Sequence, residues 1–313
     1  MAAKKASWQN NAKSRLFYIA LVILPTVQFL LFWVYVNLNS ILLAFKVYES
    51  GATSMDQFKS GFANFKHWFT SNSIIKGTRY GIHDVAPAIW VSLKTYLLGF
   101  ITSVPLGLFF SYYMFKRMPG AGLFRILLFL PSILSAAPLA LIFLNLTNGF
   151  LGGKDGWLPF LGFGLKDKEN YFTTMTVFGT FISFGTSVLM YTNKMDAIAP
   201  EVIESAHLDG ANGVKEFWYI VLPQSFSIVK VFLITSFAGA FSNPGNAYVL
   251  FGVKQQTNIT SVGYLLWNGV RHSGVSMWLM APYAAFGLII TAIVVPLTFL
   301  FRWALNKYAW QDD

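Results

Sequence analysis

The sequence predicts an all-α, polytopic membrane protein with six transmembrane helices, on three observations. Six stretches of mostly apolar residues punctuate the chain, each long enough to supply the roughly 20 residues, rising 1.5 Å apiece, that cross a bilayer's hydrocarbon. Only 12% of the 313 residues are charged, about half the share of a soluble globular chain. Mean hydropathy is +0.52, and the 31 Phe, 14 Tyr and 10 Trp suit lipid-facing and interfacial positions.

The first span runs from about Leu16 to Phe45. Its apolar run is too long for the 7–15-residue core of a secretory signal, so it reads as an uncleaved span. The second covers about Ile89 to Met114, the third Leu123 to Thr147, and the fourth Phe172 to Tyr191. The fifth covers Phe226 to Leu250 and the sixth Leu279 to Leu305. None contains Asp or Glu. Lys94, Arg125, Lys230 and Arg302 sit near span ends, where long side chains reach the headgroups.

Six crossings put both termini on one side. Lys4, Lys5, Lys13 and Arg15, with Lys116 and Arg117 in the short connection after the second span, mark that side as cytoplasmic by the positive-inside rule. The opposite loop also carries Lys46, Lys59, Lys66, Lys76 and Arg79, so orientation rests on the short connections. The net charge of +10 is scattered beside apolar runs, a pattern of membrane anchoring rather than nucleic-acid binding. The absence of cysteine excludes disulfides, thiol catalysis and Cys-based zinc sites.

Between the fourth and fifth spans, Ala199 to Gly210 reads as a short helix. Pro200 suits the first helical position, Glu201 and Glu204 favour the positive end of the helix dipole, and Gly210 is a natural stop. Val202, Ile203 and Ala206 share a face, with small Ser205 beside them. So short a helix is marginal alone in water and needs a surface to dock on. A helix lying on anionic headgroups ordinarily carries Lys and Arg. This one carries Glu201, Glu204 and Asp209, which favours docking on protein.

Here the residues resemble a known family. Glu204-Ser205-Ala206, Asp209-Gly210-Ala211, Phe217 and Ile220-Val221-Leu222-Pro223 are similar to the EAA loop of binding-protein-dependent ABC importer permeases. The family usually has alanine where this chain has Ser205, and the added hydroxyl keeps the residue small. The first span, with Asn39-Ser40 and Phe45 near its end, resembles the sugar-importing, MalF-like carbohydrate-uptake branch.

The resemblance implies a MetI-like permease module over residues 88–307, containing the EAA coupling loop at 195–223. Before it lie a cytoplasmic N-terminus, the first span and an extracytoplasmic loop (1–87). A cytoplasmic C-terminus (308–313) follows. It further implies that the loop docks in a cleft of a cytoplasmic ATPase, with Glu204, Ser205, Ala206, Asp209, Gly210 and Ala211 as coupling residues. The implied partners are a second homologous permease, two ATPase subunits, an extracytoplasmic solute-binding protein and the lipid bilayer, with no nucleic acid. The implied location is a bacterial-type plasma membrane.

No phosphate-binding loop is present: Gly152-Gly153-Lys154 is followed by Asp155 and lacks the upstream glycine. ATP and Mg are therefore expected on partner subunits, with no cofactor bound by this chain. His67, His83, His207 and His272 are dispersed, which suits solvated or interfacial positions better than metal binding. No metal site and no catalytic residue is expected. Asn258-Ile259-Thr260 matches a glycosylation acceptor, a pattern common by chance. The competing class is an ion-coupled secondary transporter. Proton-coupled carriers place ionisable relays within spans, and no Asp, Glu or His lies within one here. Sodium coupling through carbonyls and hydroxyls stays open, as does a structural subunit without its own pathway.

Transport sites often form where helices are interrupted. Pro131-Ser132 and Pro138 interrupt the third span, and Ser242-Asn243-Pro244-Gly245-Asn246 the end of the fifth. Asn145, Tyr191, Ser242, Asn243 and Asn246 offer polar partners to a neutral sugar, with Phe241 and Tyr248 as aromatic faces. The alternative is that these Asn and Ser residues bond neighbouring helices. A sugar or oligosaccharide is the expected solute. Glycerol phosphate or an acidic oligosaccharide is the alternative. The outer loops, with Trp68 and Trp267 expected to be exposed, either receive the binding protein or merely connect helices.

Overall fold

The computed structural model describes residues 12–48, 58–69, 82–148, 171–252, 259–274 and 277–308. It divides into two compact units: residues 1–77 with 273–289, and residues 78–272 with 290–313.

In the first unit, α1 (Ala12–Gln28) continues through a π-helical segment, Phe29–Tyr35, into α2 (Val36–Ala44). Three of its polar side chains turn to their own helix, since lipid offers them no partner. Thr26, Asn37 and Ser40 donate to the carbonyls of Val22, Trp33 and Val36 at 2.8, 2.6 and 3.0 Å. β1 (Lys46–Tyr48) pairs antiparallel with β2 (Phe58–Ser60), and α3 (Ala63–His67) follows. Asn64 Nδ2 donates to the carbonyls of Ala44 and Lys46 at 3.0 and 2.9 Å, satisfying acceptors left open where α2 ends.

Trp68 is not exposed, contrary to the sequence expectation. It is 3% accessible, donates its indole N–H to the Pro282 carbonyl at 2.8 Å and stacks on Phe286 at 4.4 Å. Burial of the ring with its one N–H satisfied outweighs exposure for so large an apolar surface.

The second unit holds α4 (Ile82–Phe115), α5 (Ala121–Ile133), α6 (Ala136–Asn148), α7 (Tyr171–Asp196), α8 (Pro200–Leu208) and α9 (Gly213–Glu216). A π-helical segment, Phe217–Val221, leads into α10 (Leu222–Ser242), followed by α11 (Gly245–Phe251) and α12 (Val262–Ser273). The long α13 (Met277–Tyr308) belongs in part to each unit.

Among the described residues, five helical stretches are long and apolar enough to cross a membrane: Leu16–Ala44, Val85–Phe115, Tyr171–Asp196, Gly213–Ser242 and Leu279–Lys307. The expected third span is not a straight helix. It is the pair α5 and α6, bent by 111° at Leu134 and Ser135. Leu134 is extended, and Pro138, lacking an N–H, cannot bond the Leu134 carbonyl across the break while fitting the first turn of α6. Six spans are reached only by counting this pair as one. The expected fifth span also ends early. Asn243 turns extended ahead of Pro244, as a residue preceding proline prefers, and α11 starts afresh.

The centre of this unit is α4 packed on α7. Ser111 Oγ donates to the carbonyl of Gly107 (2.6 Å) or Val188 (2.9 Å), which lie within reach of its single hydroxyl. A Cβ on Gly185 would fall 1.8 Å from the Leu128 carbonyl oxygen, so glycine is what lets α5 lie against α7. Two apolar clusters flank this contact. One gathers Phe178, Leu250, Ile259 and Tyr264. The other gathers Tyr191, Met195, Val221 and Leu233 beneath the α7–α10 connection.

Candidate functional site

The connection from α7 to α10 folds as the sequence suggests, then adds a feature the sequence hides. Pro200 opens α8 and Glu201 lies in its first turn. At the other end Gly210 has φ 79. Gly210 N–H bonds the His207 carbonyl and Ala211 N–H the Ala206 carbonyl, each at 3.0 Å. These two bonds form the glycine-dependent closure that caps a helix C-terminus. Asn212 then caps α9, its Oδ1 accepting from Lys215 N–H at 2.9 Å.

α8 has two faces. Ile203 and Ala206 turn inward, Ala206 being buried and Ile203 packed on the cluster beneath. Glu201, Glu204, Ser205, Leu208 and Asp209 are exposed. Leu208 is 90% accessible, an apolar side chain held almost wholly in the open beside three carboxylates. Of the expected coupling residues, the structure thus exposes Glu204, Ser205, Asp209 and Gly210, half-buries Ala211 and buries Ala206.

Behind α8 sits Glu216, fully buried at the end of α9. Lys116 Nζ, just past the end of α4, donates to both carboxylate oxygens at 3.0 Å. His207 Nε2, on α8, lies 2.6 Å from Oε2, and since a carboxylate accepts, that nitrogen carries the proton. Tyr112 OH lies 3.2 Å from Oε1 and 2.9 Å from the Gly213 carbonyl. A buried carboxylate is tolerated when paired and hydrogen-bonded in this way. Both helix dipoles help. Lys116 stands at the negative end of α4, Glu216 in the first turn of the helix leading into α10. The short α4–α5 turn and the α7–α10 connection therefore share one end of the unit, as six crossings would require.

Sequence reasoning did not single out Glu216 or Leu208. Glu216 is the one acid between Gly213 and Ser242, and its partners are 104, 100 and 9 residues away. The sequence expectation for His207 is a solvated or interfacial position. The side chain is half-exposed, with Glu216 as a partner.

The expected solute residues do not all come together. Asn243 Oδ1 accepts from Gly245 N–H at 2.8 Å, and its backbone lies against Gly263. Asn246 packs on Gly179 of α7. Ser242 Oγ bonds back to the Ala238 carbonyl at 3.3 Å, Phe241 is buried, and Tyr248 faces Trp267 at 5.2 Å. Asn145 is half-buried on α6, which packs on α11. Tyr191 lies apart. It sits 12 residues beyond Gly179 on α7, about 18 Å along the axis. It is buried against Phe232. Gly152 to Asp155 and Asn258 lie outside the described residues, as do the side chains of His67, His83 and His272. Among the described residues no three His, Asp or Glu gather as metal ligands would.

Residues 103–308 match the family described as the binding-protein-dependent transport system inner membrane component. The chain is 25% identical over 304 residues to the arabinooligosaccharides transport system permease protein AraP of Bacillus subtilis, covering 94% of this chain and 90% of that one. It is 22% identical over 211 residues to the multiple sugar-binding transport system permease protein MsmF of Streptococcus mutans, covering 66% and 69%. Its fold resembles a chain in the crystal structure of a bacterial alginate ABC transporter in complex with an alginate pentasaccharide-bound periplasmic protein. The TM-score is 0.71 at 18% identity, covering 96% of this chain and 97% of that one.

Proposed function

The chain belongs to the family of binding-protein-dependent transport system inner membrane components, and from that premise we propose that α8 is its docking helix for a separate ATP-hydrolysing subunit. The protein is an integral, multi-pass permease subunit of an ABC importer. The observation that carries the docking reading is the two-faced α8. Its inner face is fixed to the chain's own core, while Leu208, Glu201, Glu204 and Asp209 stand free on the other. A protruding leucine ringed by acids suits a protein cleft with an apolar floor and a basic rim, and is wrong in sign for anionic headgroups.

In this reading ATP and Mg bind two cytoplasmic ATPase subunits, and this chain pairs with a second, related permease. Both termini lie in the cytoplasm. Closure of the ATPases on nucleotide displaces α8, and the displacement passes through the backbone to α7 and α10. Solute arrives from an extracytoplasmic binding protein. The solute class is an oligosaccharide, supported by the names of AraP and MsmF. Asn145, Ser242, Asn243, Asn246 and Tyr248 are the candidate contacts, grouped about α6, α10 and α11. Phe241 and Tyr191, both buried, shape the helix packing around them.

Proteoliposomes containing the assembled complex test this, with radiolabelled arabinotriose, maltotriose and trigalacturonate as probes. Uptake is expected only with ATP on the ATPase side and with binding protein on the other. Uptake driven by an ion gradient with no ATPase present overturns the reading in favour of a secondary carrier. Preference for trigalacturonate would shift the solute class to acidic oligosaccharides.

A further inference from the structure

We propose that Glu216 is the positioning residue through which a displacement of α8 reaches α4. The inference rests on the docking reading above and adds a route that the backbone does not supply. Along the chain, α8 is joined to α7 and α10 and is remote from α4. In space a short series of side chains closes that gap. His207 on α8 reaches Glu216 at 2.6 Å, and Glu216 is held by Lys116 at 3.0 Å to each oxygen. Tyr112, one turn back on α4, adds a contact at 3.2 Å.

Three features make this a transmitting contact rather than a surface ion pair. Glu216 is itself fully buried, so a partner that moves away leaves its carboxylate short of a hydrogen bond, and this cost holds the partners to move together. The contacts come from two elements, His207 on α8 and Tyr112 and Lys116 at the end of α4, so the carboxylate ties the two together. The base beneath is firm: Glu216 N–H bonds the Asn212 carbonyl at 2.8 Å, and Phe217 packs on Tyr112 at 5.0 Å. Lys116, a quarter exposed, adjoins the α4–α5 turn, so the same contact also fixes where that turn sits.

Hydrogen–deuterium exchange on the complex in nanodiscs tests the route without needing a solute. Peptides over 200–211 and 108–118 are followed with and without the ATPase subunits trapped by Mg-ATP and vanadate. In the wild type, exchange is expected to slow fivefold or more in both segments. In Glu216→Gln it is expected to slow at 200–211 alone, whereas in Glu216→Asp, which keeps a carboxylate for His207 and Lys116 to donate to, the response at 108–118 is expected to return. A response at 108–118 that is equal in Glu216→Gln, or absent in the wild type, overturns the proposal while leaving docking intact. No protection of 200–211 in the wild type overturns the docking reading with it. If Glu216→Gln does not assemble, Lys116→Met takes its place. Loss of the 108–118 response there supports the route, and its retention overturns it.

Discussion

Lys116 Nζ sits 3.0 Å from each carboxylate oxygen of Glu216, a residue one hundred positions further along the chain. Lys116 lies just past the end of α4 and Glu216 closes α9, and the two meet at the end of the unit that α8 shares with the α4–α5 turn. Removing one partner of a buried pair leaves an uncompensated charge. Lys116→Ala, which leaves the buried Glu216 carboxylate without its cation, is therefore expected to cost about 3–5 kcal/mol of stability. Arg125 and Asp196, 3.9 Å apart and each half exposed, form the contrast. Arg125→Ala is expected to cost less than about 1 kcal/mol, since solvent screens that pair. Thermal unfolding of the two variants in one detergent checks the difference.

Gly210 holds φ 79 at the close of α8. A β-branched side chain there meets a steric penalty of about 1–2 kcal/mol. Gly210→Val is expected to displace the end of α8, with loss of ATPase co-purification and of import. Import at the wild-type rate with normal association would contradict the role given to this loop.

Leu208 contributes almost nothing to the chain's own packing, being 90% accessible. Leu208→Asp is expected to leave unfolding temperature unchanged. It should weaken ATPase binding at least tenfold, the loss of about 1.4 kcal/mol or more from a buried apolar contact. Titration of the ATPase onto nanodisc-held permease reads the change directly.

Gly185 admits no side chain, since an added Cβ falls 1.8 Å from the Leu128 carbonyl oxygen. Gly185→Ala is expected to push α5 from α7 and cost about 1–3 kcal/mol. Gly99 on α4 has nothing within 4 Å of such a Cβ. Gly99→Ala is expected to stay within about 1 kcal/mol of the parent. Paired melting curves separate them.

Asn243 and Asn246 divide the solute question. Asn243 Oδ1 already accepts from Gly245 N–H, so Asn243→Ala is expected to cost about 1 kcal/mol of stability and to lower uptake less than Asn246→Ala does. Asn246→Ala is expected to lower uptake of the oligosaccharide panel severalfold. Unchanged uptake and selectivity in both variants would remove them from the pathway.

What the sequence revealed follows from how local each signal is. α8 was legible because Pro200, the early acids and Gly210 act within one turn of themselves. The six apolar stretches were legible because lipid demands length and apolarity of every residue in a span. The bend at Leu134 was announced only as prolines in a span. Its angle depends on what packs around it. Glu216 was illegible because an acid ahead of an apolar run looks like any helix-dipole residue until Lys116 and Tyr112 arrive from across the fold. Trp68 was misjudged for the same reason: its partner carbonyl, Pro282, is 214 residues away.

The elbow between α5 and α6 has a consequence for how this subunit lives in a bilayer. Thirteen residues of α5 extend about 20 Å, short of the roughly 30 Å of hydrocarbon, so the chain turns while still at the depth of the acyl tails. Acyl chains offer no hydrogen bond to the Leu134 carbonyl, which Pro138 cannot pair. That corner is accordingly wetted or roofed by neighbouring polypeptide, and an isolated copy surrounded by lipid alone would carry an open seam there.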